Sequence, residues 1–256
     1  SCSWNFRSVC LLTLLLLSGF CGISYEILYA RILGNLIGDQ FAVCASILLS
    51  FLLGIGVGTL YAHNLWRFLW LVEAGIGLYG AGFALGQERV GAWFYSGGSV
   101  DLVRILIGCC ALLGLPSFLI GCSLPLFAGY LSRLSSGRVF AKAYTLYNFG
   151  AAATTLLIEF WLLRLLGLRN TVLSMATLNL LVSLLLLAGF WDLRTARPAP
   201  QKQARLPMNQ WLALALVSLA SAVFQLLMIK IAECLLGPFR ETFALVLCVV
   251  LLGIAV

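Results

Sequence analysis

Long apolar runs broken by short polar segments occupy nearly the whole chain, and this pattern governs every other reading of it. A spanning helix needs about 20 mainly apolar residues. Measured between polar breaks, the runs predict eight such helices, at 8–36, 40–62, 65–86, 101–131, 140–167, 170–191, 209–236 and 242–256. No alternation of period two appears, and an open sheet edge has no place in hydrocarbon, so every run is read as helical. Pro116 and Pro125 fall inside the fourth run, where each removes a backbone donor and predicts a kink. The last run reaches Val256 without a basic or aromatic flank, so the expectation is that further residues follow it. Arg7 followed by the apolar stretch Val9 to Leu17 has the outline of a signal peptide, but the apolar character continues well past Leu17.

One segment reads as a linker. Residues 194–205 are basic, contain Pro198 and Pro200, and lack large apolar side chains. The predicted organisation is a six-span bundle over 1–192, a linker over 193–208, and the start of a second repeat over 209–256. The chain restarts after the linker. Gly22-Ile23-Ser24-Tyr25-Glu26-Ile27-Leu28-Tyr29-Ala30-Arg31 aligns with Ser221-Ala222-Val223-Phe224-Gln225-Leu226-Leu227-Met228-Ile229-Lys230. An aromatic, then an acid or amide, then a base five positions later recurs in both. Each segment leads through a polar break to Phe-Ala and an apolar run ending in Leu-Leu-Gly-Ile. A parallel repeat after six spans is the organisation of the major-facilitator architecture. The fold expected is an all-α polytopic membrane protein, a major-facilitator-like six-helix bundle plus the first two helices of a second repeat.

Composition agrees with the pattern: 62% of residues are hydrophobic and 10% charged, against roughly a quarter charged in soluble domains. The principal partner is therefore a lipid bilayer. The net charge of +7 is distributed unevenly between the loops. Arg7, Arg67, Arg133, Arg138, Lys142, Arg194, Arg197, Lys202 and Arg205 fall on one side, while Arg89, Arg104, Arg164, Arg169 and Arg240 fall on the other. The richer side is expected to face the cytoplasm, with the N-terminus inside. Anionic headgroups account for the basic excess, and nothing calls for nucleic acid.

Several stretches carry a family resemblance. Residues 18–31, followed by Phe51-Leu52-Leu53-Gly54-Ile55-Gly56-Val57-Gly58, resemble the membrane region of bacterial spermidine synthase-like proteins fused to a major-facilitator-like domain. Gly121-Cys122-Ser123-Leu124-Pro125-Leu126, residues 143–151 and residues 165–171 extend the resemblance. It implies a bacterial inner-membrane protein serving or anchoring an aminopropyltransferase-like domain that acts on a polyamine. That catalytic domain is absent from these residues, and so is any strand-borne glycine-rich nucleotide loop. Gly54-Ile55-Gly56-Val57-Gly58 lies within an apolar span, where close helix packing through small residues explains it. No catalytic motif and no cofactor site is expected. Two other readings stand beside this one: a transporter or binding protein for a polyamine or another small solute, and a non-catalytic subunit among other membrane subunits.

Polar groups inside the membrane are the candidate binding residues, because their burial in lipid is costly. They are Tyr25, Glu26, Arg31, Glu73, Asn148 and Glu159. Five positions on a helix is about 500° of rotation, so Glu26 and Arg31 should face different ways. For Glu26 the choice is between hydrogen bonds to neighbouring helices and ligand binding, with Arg31 reaching to the headgroups in the first case. Glu73 reads either as an interfacial residue paired with a headgroup or Arg67, or as a cavity carboxylate. Glu159 has the same pair of readings, structural or cavity. Carboxylates and aromatic faces suit the ammonium groups of a polyamine. Asn148 and Asn179 are expected to bond between helices, and Lys230 to pair with Glu233 three residues on. The segment 87–99 mixes aromatic and polar residues and reads as an outer loop, with a short amphipathic piece along the interface or a partner contact as the alternatives. His63 is the single histidine, and the nine cysteines form no Cys-x-x-Cys pair, so no metal cluster and no structural disulfide is expected.

Overall fold

The computed structural model describes residues 6–38, 40–95, 102–134, 139–194, 207–236 and 241–255. Among them only helices and turns occur. The helices are α1 (Phe6–Ile37), α2 (Gln40–Tyr61), α3 (Leu69–Tyr95), α4 (Leu102–Leu134), α5 (Val139–Leu157), α6 (Leu163–Gly189), α7 (Met208–Leu236) and α8 (Glu241–Ala255). A tight 3₁₀ segment, Ala62–Phe68, joins α2 to α3, and a π-helical turn, Ile158–Leu162, ends α5. Five helical runs are long and apolar enough to cross a membrane. Two of these, Phe41–Tyr95 and Ala141–Gly189, contain an internal break.

The breaks are reversals, as the side-chain partners on either side of them show. Along α2, Ser50 meets Cys110 and Gly58 meets Cys122, so α2 runs parallel to α4. Along α3, Glu73 meets Ser123 and Tyr79 meets Leu112, so α3 runs antiparallel to the same helix. The chain therefore turns back within Ala62–Phe68. The second reversal lies at Gly167, whose φ of 73° belongs to the left-handed region that glycine enters without a Cβ clash. Thr171 then donates to the carbonyls of Leu162 and Gly167 across that turn.

Helix α1 is the axis of the bundle, with more than half of its residues buried. It runs parallel to α3, through Ser18 with Glu73 and Leu36 with Tyr95. It is also parallel to α5, where a Cβ on Gly19 would lie 2.6 Å from the Tyr147 carbonyl oxygen and Arg31 meets Glu159. It is antiparallel to α4 and α6, through Ser8 with Leu134 and Arg7 with Gly189. The result is a six-helix bundle with α1, α3 and α5 pointing one way and α2, α4 and α6 the other. Helix α8 returns along α5, with Cys248 at Ala152, and among the described side chains of α7 only Gln225 and Ile229 are well buried.

Helix α4 continues through both prolines, and the supply of hydrogen bonds explains how. A proline at position i leaves the carbonyl of residue i−4 without its helical donor. The carbonyl of Leu112, four before Pro116, accepts the Tyr79 hydroxyl from α3. That of Gly121, four before Pro125, accepts Thr59 Oγ1 from α2 at 3.2 Å. Neighbouring helices thus replace what each ring removes. The segment expected as an outer loop is corrected. Through Tyr95 it continues α3, with Phe94 fully buried and Tyr95 donating to the Leu36 carbonyl at 2.7 Å.

Candidate functional site

The deepest polar site is built around Glu73. Its carboxyl is fully buried and receives three contacts: Ser18 Oγ at 2.8 Å, Ser123 Oγ at 2.6 Å and Asn179 Nδ2 at 3.1 Å. The two serine oxygens are themselves 2.9 Å apart. Four helices, α1, α3, α4 and α6, therefore meet at one carboxyl group. This overturns the interfacial reading: a side chain enclosed by four helices reaches neither a headgroup nor Arg67.

Two to three turns further along α1 lie Tyr25, Glu26 and Tyr29. All three are buried, and Tyr25 Oη, Glu26 Oε1 and Tyr29 Oη have no hydrogen-bond partner. The tyrosine rings stack at 5.6 Å, and Tyr29 packs against Phe83 of α3 at 4.5 Å. Glu26 therefore makes no bond to a neighbouring helix through Oε1, contrary to one expectation for it. Most buried polar atoms in proteins are bonded, so three orphan oxygens within one helical turn stand out.

Arg31 has a partner within the protein. It is held by Glu159 on the π-helical turn, with Nε 3.3 Å from Oε2 and the other guanidinium nitrogen against Oε1. Glu241, at the start of α8, lies 3.9 Å from the same guanidinium. A carboxylate whose side chain is 1% exposed needs such a partner. As the rotation argument predicts, Glu26 and Arg31 point apart.

The six predicted residues thus do not form one pocket. Only Arg31 and Glu159 touch each other among the described contacts. Asn148 is buried but donates to the Tyr144 carbonyl of its own helix at 2.8 Å, which corrects its interhelical assignment. Asn179 does bond between helices, and Lys230 pairs with Glu233 at 3.4 Å. Ser18, Ser123, Tyr29 and Glu241 belong to these sites and were not singled out from sequence. A hydroxyl within an apolar span is the one signal that pointed to the serines. A cavity of about 280 Å³ lined by Asn35, Gln87, Glu88 and Arg169 lies near the far end of α1. At the opposite end Arg7 holds Asp192 at 2.6 Å, and that hydrogen bond keeps the Asp192 carboxyl below its ordinary range. The described cysteines are free, and no group of metal-ligating residues occurs among the described residues.

In comparisons with protein families, with curated proteins and with solved structures, nothing matches this chain.

Proposed function

We propose that this chain is the membrane domain of a spermidine synthase-like protein, and that it binds a small organic cation of the polyamine class inside its helical bundle. The observation that supports this reading is the set of orphan oxygens on α1: Tyr25 Oη, Glu26 Oε1 and Tyr29 Oη. An ammonium group has only donors, up to three of them, and no acceptor. A buried carboxyl with two nearby phenol oxygens and stacked rings offers it acceptors, opposite charge and aromatic faces. Glu26 would carry the charge recognition, with Tyr25 and Tyr29 fixing the ammonium by hydrogen bonds and ring contact. Arg31, engaged by Glu159, leaves Glu26 uncompensated on its own helix.

The up-and-down packing of α1 to α6, followed by α7, supports a major-facilitator-like plan of one six-helix unit and the start of another. In α1 and α7 the aligned bases Arg31 and Lys230 each stand six residues before the helix end, at Ile37 and Leu236. Arg7, Arg67 and Arg133 gather at the end of the bundle that carries Trp66 and Asp192. We place that end, and the N-terminus with it, on the cytoplasmic side of a bacterial inner membrane. Of the other members of the basic set, Lys142 lies in the first turn of α5 and Arg194 closes the short helical turn Trp191–Arg194, while Arg138, Arg197, Lys202 and Arg205 lie outside the described residues, as does the linker beyond Arg194.

Calorimetric titration of spermidine into the full chain held in lipid nanodiscs tests the reading. Saturable binding in the wild type, weakened at least tenfold by Glu26→Gln, is the expected result. A folded wild type that takes up no spermidine removes the polyamine assignment.

A further inference from the structure

The ring of oxygens around Glu73 raises a question of hydrogen counting. Three oxygens, Glu73 Oε1, Ser18 Oγ and Ser123 Oγ, make three mutual contacts of 2.8, 2.6 and 2.9 Å. Each lies at hydrogen-bond distance for O–H···O. Each such contact needs one hydrogen, and the two serines supply two. The fourth partner supplies none to the ring. Asn179 Nδ2 faces both the Glu73 backbone carbonyl, at 3.4 Å, and Oε2, at 3.1 Å. A backbone carbonyl only accepts, which fixes the amide orientation and makes Oε2 an acceptor as well. Two serine hydrogens directed at Oε1 account for the 2.8 and 2.6 Å contacts, and a hydrogen bond across the 2.9 Å Ser18–Ser123 contact as well requires a third hydrogen, which only Oε1 can carry.

We propose that Glu73 is a proton-binding site of the bundle, its carboxyl carrying the hydrogen that closes a three-oxygen ring with Ser18 and Ser123. Each oxygen then donates once and accepts once around the ring, an arrangement in which the bonds polarise one another. The surroundings agree. Cys21 and Tyr25 of α1 and Tyr147 of α5 lie close enough to interact electrostatically with Glu73, and none of them is a cation. Ser123 faces it from α4 and Asn179 from α6, and no ion pair reaches Glu73 among the described residues. An ionised carboxylate here would be an uncompensated charge inside the membrane. Loss of the proton would leave three oxygens sharing two hydrogens where α1, α3, α4 and α6 meet, so occupancy of the site is linked to how those helices pack. The ligand is a proton rather than a solute, and the inference stands independently of polyamine binding.

Infrared spectroscopy of the full chain in lipid nanodiscs at neutral pH tests it, with glutamate side-chain carboxyls labelled in ¹³C to identify their bands. The expected spectrum holds a C=O stretch of a protonated carboxylic acid that is absent from Glu73→Gln and retained in Glu26→Gln. Absence of the band from the wild type, or its persistence at full intensity in Glu73→Gln, overturns the proposal. Should Glu73→Gln fail to accumulate, Ser123→Ala provides the assignment. Removing one member of the ring must shift the band, and an unmoved band refutes the assignment.

Discussion

At the scale of single residues, the carboxyl groups on and around α1 differ in what compensates them. Glu73 is enclosed by hydroxyls and an amide, Glu159 by a guanidinium, and Glu26 Oε1 by nothing among the described residues. These differences have opposite consequences for stability. Replacing Glu26 by Gln removes a buried carboxyl that can ionise only at a cost unless a cation binds beside it, so we expect the free variant to melt no lower than the wild type while losing cation binding, a trade common at functional sites. Thermal unfolding in nanodiscs measures the first effect and titration the second. A Glu26→Gln protein that melts lower would mean that the carboxylate is satisfied. Arg31→Ala does the reverse, leaving Glu159 buried without its partner, at a cost of about 3–5 kcal/mol. The double variant Arg31→Ala/Glu159→Ala should recover much of that loss, because it leaves no charge stranded.

At the scale of elements, the prolines of α4 make the sharpest case. The Tyr79 hydroxyl serves the carbonyl freed by Pro116, so Tyr79→Phe should leave a buried acceptor unsatisfied and cost about 1–3 kcal/mol. In a Pro116→Ala background the helix supplies its own donor to Leu112, and the same change should cost far less. A double-mutant cycle on thermal stability checks the coupling, and equal costs in both backgrounds would rule it out. The sequence showed both prolines but not the compensating hydroxyls, because these come from α2 and α3, distant along the chain. The small-residue run in α2 was legible from sequence for the opposite reason. Packing against α4 requires only the absence of side chains, and a Cβ on Gly54 or Gly58 would collide with Ser117 or Phe118.

At the scale of the molecule, the alternation of α1 to α6 gives the bundle two chemically distinct ends. One carries Arg7, Arg67 and Arg133. The other carries the Arg31–Glu159–Glu241 group and the turn at Gly167. If the first end is cytoplasmic, a cysteine introduced at Arg194 in a background lacking the native cysteines should resist a membrane-impermeant maleimide in intact cells. One introduced at Arg169 should react. Swapped accessibility would invert the topology without altering the packing.

What the sequence by itself determined is what depends on composition and spacing: helices throughout the described residues, runs long and apolar enough to cross a membrane, the uneven distribution of basic residues and the different directions of Glu26 and Arg31. These follow from the length of apolar runs and from 100° per residue, both local properties of the chain. Only the tertiary structure decided which polar groups meet. Ser18, Glu73, Ser123 and Asn179 lie on four helices, and Arg31 finds Glu159 on the π-helical turn that ends α5. Such partners are fixed by the register of one helix against another. That register depends on the fit of whole faces, including the glycines and prolines between them, and no single segment encodes it.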